Sequence, residues 1–285
     1  MSRVALFGGS FDPPHNGHIA IVEAIKRLDF IDSIIIMPAF LNPFKTHSFA
    51  SADLRLEWLR EIFKDDDMVE VSSFEVSKNR KVATIESVEH LRSSYDEVFV
   101  VIGADNLASL HKWSEYDRLS RLASFIVAPR GGVRIPDEFI ALDVSSSDSS
   151  SEFRASLSPA MLPDVVAGKI YRYYKDRILQ NRVEKIVEVL SNNKAESVEV
   201  FDIKDREYIA DSVVIASSMG QKHTLALLDH LRKELKPAEQ FLGSDESENW
   251  VVVDLGDILI HIMTPEYRAK YDLESFLSSL ANRAN

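Results

Sequence analysis

Apolar positions in the first half of the chain alternate between short continuous runs and helical spacing. Residues 4–7 form an unbroken apolar run that predicts a buried strand, and Ile19, Val22, Ile25 and Leu28 then recur three apart, as one helix face requires. Residues 34–37 predict a second strand, stopped at Pro38, whose nitrogen carries no hydrogen for a ladder. An amphipathic helix over residues 54–63, a short strand at 69–71, a helix at 84–91 and a strand at 98–102 follow. Next come a helix containing Trp113 and a strand at 125–127. Strands that are continuously apolar are buried on both faces, so this alternation predicts a parallel sheet with helices on either side.

The pattern changes towards the second half. After Pro163 an apolar stretch at 165–174 gives way to Lys175, Asp176 and Arg177, and helical spacing resumes at Val183, Ile186, Val187 and Leu190. Strands are expected at 198–201 and 213–215 and a helix at 224–235, ended by Pro237. Residues 250–253 and 258–263 flank Leu255-Gly256, which suits a hairpin turn, and a last helix covers 272–280. The expected organisation is an α/β chain: a Rossmann-like, doubly wound parallel sheet over residues 1–180, then a smaller α/β domain with a mixed sheet over 181–285.

The 285 residues contain no cysteine, which removes disulfides, thiolate nucleophiles, iron–sulfur clusters and cysteine zinc sites together. With 33 Lys+Arg against 45 Asp+Glu, the net charge of −12 argues against a DNA partner or broad nucleic-acid binding, which needs a basic surface. Residues 181–285 hold 12 Lys+Arg and 19 Asp+Glu, so neither half is a basic module. The run at 4–7 is too short for a signal peptide, and no stretch approaches the roughly 18 apolar residues of a membrane span. A soluble, cytoplasmic protein is expected.

The informative segment is Gly8-Gly9-Ser10-Phe11-Asp12-Pro13-Pro14-His15-Asn16-Gly17-His18, placed where the first strand yields to a helix. Open α/β sheets bind ligands at the carboxyl ends of their strands. Adjacent glycines let a phosphate approach the backbone, while His15 and His18, three apart at a helix start, can face one site. Together they make an anion site; a zinc pair is the weaker reading, because no third ligand stands out. Neither the dinucleotide-binding glycine fingerprint nor the P-loop pattern is matched. Further on, Ser149 and Glu152 have the spacing of a capping box, so a helix starts there with free amides, the hydroxyls of Ser150 and Ser151, and Arg154. The neighbouring serines 145–147 leave the register of that motif open. Asp105, just after the strand at 98–102, suits either ligand contact or a helix cap.

The histidine segment resembles the signature of the nucleotidyltransferases, specifically the bacterial nicotinate-nucleotide adenylyltransferases. The resemblance runs over residues 1–175, through Asn42-Pro43-Phe44-Lys45, Arg55, Thr84, Gly103-Ala104-Asp105, Trp113, Arg130-Gly131 and the serine motif ending at Arg154. It implies magnesium-dependent transfer of the adenylyl group of ATP to nicotinate mononucleotide, releasing pyrophosphate with no covalent intermediate, a step of NAD biosynthesis. By resemblance, His15 and His18 stabilise charge at the reacting phosphates, and Gly8, Gly9, Ser10 and Phe11 cradle nucleotide and phosphates. Lys45 and Arg130 would hold phosphate groups, and Ser149, Ser150, Ser151 and Arg154 the departing pyrophosphate. Trp113 would stack on the pyridine ring, Thr84 would bind its carboxylate, and Asp105 would contact adenosine or substrate. The chain departs from the family at Phe44, where a histidine is usual, at Ala83, and at Ser151 and Phe153 in the serine motif. Transfer to another phosphorylated acceptor, or nucleotide sensing without turnover, are the alternatives.

Residues 181–285 resemble the ribosomal silencing factors, the Iojap-like family, through Trp250 to His261 and Glu266 to Glu274. This implies binding to a protein of the large ribosomal subunit, hindrance of subunit joining, and dimerisation. Glu266, Tyr267 and Arg268 are expected on the partner surface. Trp250, Asp254, His261 and Tyr271 are read first as core or turn residues; the alternative for His261, opposite Ile260 and Ile262 on its strand, is an exposed or binding face. The motif before Trp250 is altered, at Leu242-Gly243-Ser244.

Overall fold

A computed structural model of the chain describes residues 1–43, 45–144 and 148–281, so Phe44 and the serines 145–147 lie outside the described residues. The chain divides into two compact units, Met1–Lys175 and Asp176–Asn285.

In chain order the first unit contains β1 (Arg3–Gly9), α1 (Asn16–Lys26), β2 (Ser33–Pro38), α2 (Ala52–Ile62), β3 (Val69–Val71), α3 (Phe74–Ser77) and α4 (Thr84–Arg92). Then follow β4 (Glu97–Gly103), α5 (Tyr116–Leu122), β5 (Ser124–Ala128), β6 (Ile140–Ala141), α6 (Ser150–Ser156) and the start of α7 (Asp164–Asn192). The strands form one sheet in the order β3-β2-β1-β4-β5-β6, with every pairing parallel. This is the doubly wound arrangement that the continuous apolar runs predict. Successive residues of β1 serve opposite faces: Leu6 packs with Ile85, Val88 and Leu119 beneath α4 and α5, while Phe7 packs with Val22, Ile25 and Leu59 beneath α1 and α2. Fully burying each such side chain contributes about 1.5–3 kcal/mol, so the sheet is held from both sides. The strand order reverses between β1 and β4, and their carboxyl ends open a crevice there.

Two local expectations differ. Trp113 does not sit within a helix; it caps a 3-10 segment, Ala104–Lys112, that leads from β4 towards α5. The polar residues 175–177 do not interrupt α7. Val166, Ile170 and Tyr174 are buried before them and Leu179, Val183, Ile186 and Leu190 after them, so helical spacing continues, and the polar side chains occupy the helix's outer positions. The division between the units falls within α7, after Lys175.

The second unit contains the rest of α7, β7 (Glu196–Asp202), β8 (Ser212–Ser217), α8 (Gln221–Leu235), β9 (Gly243–Glu246), β10 (Trp250–Asp254), β11 (Ile258–Met263), α9 (Pro265–Tyr271) and α10 (Leu273–Ala281). Its sheet runs β7-β8-β11-β10-β9, with β8 and β11 parallel and the other pairs antiparallel, a mixed sheet. The β10–β11 hairpin turns at the expected place. The Asp254 carboxylate accepts the Gly256 amide at 2.7 Å, and Gly256 holds a φ of +91° that other residues rarely adopt.

His261 lies opposite Ile260 and Ile262 on a face that is covered, as its core reading expects and its exposed alternative does not. It is buried, and its Nδ1 accepts the Trp250 indole N–H at 3.1 Å. Arg268 is likewise buried rather than presented to a partner. It donates to Ser197 O, Ser217 Oγ, Glu199 and Glu274, and so fastens α9 to β7, β8 and α10. Glu266 is exposed and Tyr267 half-buried.

Candidate active site

The carboxyl end of β1 turns sharply into α1. Gly9 leaves room there: a Cβ would stand 3.1 Å from the ring of Phe11, closer than ordinary van der Waals contact. Phe11, at a φ of 48°, sends its side chain down into the core against Phe7, so only its backbone is available to a ligand. The chain then runs through Asp12, Pro13 and Pro14 to His15, the residue preceding α1.

His15 and His18 lie ring against ring, with centroids 3.7 Å apart. The Nδ1 of His18 accepts the amide N–H of His15 at 3.1 Å, so a neutral His18 carries its hydrogen on Nε2. The Nδ1 of His15 is buried and has no partner. Burial, and secondly the charge of Arg130, lowers the His15 pKa to about 4; burial, then His15 and Arg130, holds His18 well below its ordinary value. In the free protein both imidazoles are neutral donors near pH 7. Arg130 is 3.6 Å from Asp105, and Asp105 also accepts from the Asn106 amide at 3.1 Å. Asp105 is thus paired across the β4 and β5 ends rather than capping a helix.

The serine motif packs against the same turn. Ser149 caps α6, its hydroxyl accepting the Glu152 amide at 3.1 Å, as the spacing predicts. Ser150 donates to the carbonyl of Pro13 at 2.9 Å, and Arg154 donates a short hydrogen bond to the carbonyl of Asp12. A second Arg154 nitrogen reaches Ser151 Oγ at 3.3 Å, and the guanidinium lies over the Phe49 ring. Lys45 stands in the exposed loop after β2; burial and the nearby charges of Arg154 and Arg55 lower its pKa, against the opposing pull of Asp12. Cationic groups therefore converge on the His15 turn from three separate elements.

Thr84 begins α4 and is half-buried, and Arg80 forks onto Glu86 at 3.0 and 2.6 Å just beside it. Trp113 is half-buried against the same core face as Ala83 and Ile85, with its indole N–H enclosed and unpartnered. These two residues thus flank the other side of the sheet from the histidines.

Two further buried side chains, Arg55 and Asp12, shape this turn. Arg55 is 1% exposed and donates only to carbonyls: Ala50 at 3.2 Å, Ser10 at 2.5 Å, Ala39 at 2.9 Å and Phe40 at 3.0 Å. A signal was present, because Arg55 shares the buried stripe of α2 with Ala52, Leu56 and Leu59. Asp12 is not a free carboxylate at the site. It is buried and accepts the amides of Phe49 and Ala50 at 2.8 and 3.0 Å. Among the described residues no group of three or more His, Asp or Glu side chains could hold a metal ion, and no helix is long and apolar enough to cross a membrane.

Two family models match. Residues 6–155 match the cytidylyltransferase-like family, and residues 176–283 match the family described as ribosomal silencing factor during starvation. Among curated proteins, one from Sulfurimonas denitrificans described as "probable nicotinate-nucleotide adenylyltransferase" is 53% identical over 176 residues, covering 62% of this chain and 97% of its own. Proteins of the same description from Nitratiruptor sp. and Campylobacter fetus are 47% and 41% identical, each covering 61% of this chain and 99% and 98% of their own lengths.

Proposed function

This chain belongs to the nicotinate-nucleotide adenylyltransferase family, and we propose that it joins ATP to nicotinate mononucleotide, giving deamido-NAD and pyrophosphate. A phosphate oxygen of the mononucleotide attacks the α-phosphorus of ATP, and the bond from that phosphorus to the bridging oxygen of the β-phosphate breaks. Two polyanions must be brought together, so the protein's work is positioning and neutralisation of charge. The observation that carries the reading is the close, neutral His15–His18 pair at the mouth of β1, its rings tilted 35° to each other, beside the strand-order reversal.

Each imidazole offers an N–H to the α-phosphate oxygens, and the approaching anion raises the imidazole pKa, strengthening donation as charge builds. Gly8, Gly9, Ser10 and the Phe11 backbone line the phosphate path. Lys45 and Arg130 hold phosphate groups, with Arg130 exchanging Asp105 for the ligand. Ser149, Ser151 and Arg154 receive the pyrophosphate. Ser150 contributes by holding Pro13. Trp113 faces the pyridine ring, Thr84 its carboxylate, and Asp105 the nucleoside. The carboxylates at hand, Asp12 and Asp105, are already engaged, so the described side chains form no cage for a metal. Magnesium enters as the ATP complex, where it neutralises the polyphosphate.

For residues 176–283 we propose association with a protein of the large ribosomal subunit, hindering subunit joining, and self-association as a dimer. The family-model match supports this reading, and the acidic balance suits a protein surface on a basic particle.

Incubation with ATP and magnesium and a panel of mononucleotide acceptors tests the first assignment. Pyrophosphate and deamido-NAD should form with nicotinate mononucleotide in preference to nicotinamide mononucleotide. Folded protein that yields no dinucleotide with any acceptor would exclude it. Co-sedimentation with large subunits, with and without residues 176–285, tests the second.

A further inference from the structure

The phenol ring of Tyr174, on α7, is wholly buried among Phe49, Trp58, Phe153 and Tyr173, with ring centroids 6.2, 6.1, 5.5 and 5.5 Å away. A hydroxyl in such a box needs a partner, and this one donates a short hydrogen bond to Oδ1 of Asp12. Burial, and then the Asp12 charge, push the phenol far above its ordinary pKa, so it remains a donor throughout the working range.

Asp12 depends on that donor. Arg55 lends charge, but the hydrogen bonds it makes go to carbonyls. The carboxylate is therefore solvated by the Phe49 and Ala50 amides and the Tyr174 hydroxyl. What Asp12 fixes is the site itself. Only Pro13 and Pro14 separate it from His15, and their locked φ angles leave few soft torsions between the carboxylate and the imidazole. The same carboxylate holds residues 49 and 50, at the far end of the loop that carries Lys45.

Resting on the adenylyl-transfer reading, we propose that Tyr174 is a positioning residue of that reaction: through Asp12 it holds the His15 turn and the Lys45 loop at their working separation without touching substrate.

Tyr174→Phe keeps the ring and removes only the hydroxyl. Its kcat should fall about 10- to 100-fold while the KM for ATP changes less than about threefold. In the ligand-free protein the Phe49, Ala50 and His18 amides should exchange with deuterium about tenfold faster, while amides of β4 keep the wild-type rate. Because the phenol acts through the carboxylate, adding Tyr174→Phe to Asp12→Asn should slow the enzyme no further than Asp12→Asn alone. Wild-type kcat, wild-type exchange, or losses that multiply in the double variant would each overturn the proposal. Wild-type protein inactive on every acceptor would count against the adenylyl-transfer reading, while the exchange rates would still decide whether the tether orders the turn.

Discussion

Two buried ionisable side chains pull the pH dependence of stability in opposite directions. Burial of His261 lowers its pKa to about 4, so between that value and 6.5 the unfolded chain binds a proton the folded chain refuses. Stability falls as pH drops through this window, and His15 and His18 act in the same sense. Glu75 behaves oppositely. Burial pushes its carboxyl up to about 7, helped by the charge of Glu86 and opposed by the 2.8 Å hydrogen bond from Ser87, so stability is lost as pH rises from 4.5 through 7. Glu75→Gln, which keeps an acceptor for Ser87, should therefore raise the denaturation midpoint at pH 8 and leave it nearly unchanged at pH 4.5. A pH series of urea melts checks this, and an equal shift at both values would contradict it. Composition could show neither group, because each becomes unusual only through what tertiary packing places around it.

At the scale of elements, repeating patterns were legible and isolated contacts were not. The β1, β2, β4 and β5 strands, α1, α2 and α4, and the β10–β11 hairpin follow directly from runs and spacing. The strand β9 was invisible, since Gly243-Ser244-Asp245-Glu246 is polar throughout and exists only because β10 offers it a ladder. The histidine pair and the cap at Ser149 were readable because their partners lie three residues away. Apart from the Arg55 bond to Ala50, the bonds of Asp12 and Arg55 join segments 15 or more residues apart, so no local window contains both of their ends. Arg55 links the β1 turn, the end of β2 and the loop before α2. Arg55→Met should destabilise the first unit by about 3–5 kcal/mol, since it leaves four carbonyls without a donor and Asp12 without its nearby cation. Arg55→Lys should recover only part of that loss, because one ammonium cannot span four acceptors. Chemical denaturation of the three proteins measures both effects.

For the molecule as a whole, each unit carries its own core. Val4, Val100 and Ile126 belong to clusters confined to residues before 176, and Val214, Leu227 and Ile260 to one confined to residues after it. The curated relatives match over the first 176 residues with nearly their entire length. A chain shortened to residues 1–175 should therefore retain adenylyl transfer within about threefold of the full chain and lose any co-sedimentation with large subunits. Loss of turnover on shortening would mean that the second unit takes part in the chemistry. The acidic, cysteine-free composition could not apportion the work between the two halves.

Beside the Asp12 carboxylate, the turn that carries His15 and the segments packed against it are gripped through backbone carbonyls. Arg55 takes those of Ser10, Ala39, Phe40 and Ala50, Arg154 that of Asp12, and Ser150 that of Pro13. A carbonyl is the same whichever amino acid bears it, so this grip is blind to the side chains it displays. Inheritance can therefore exchange the displayed groups, one at a time, while the frame survives.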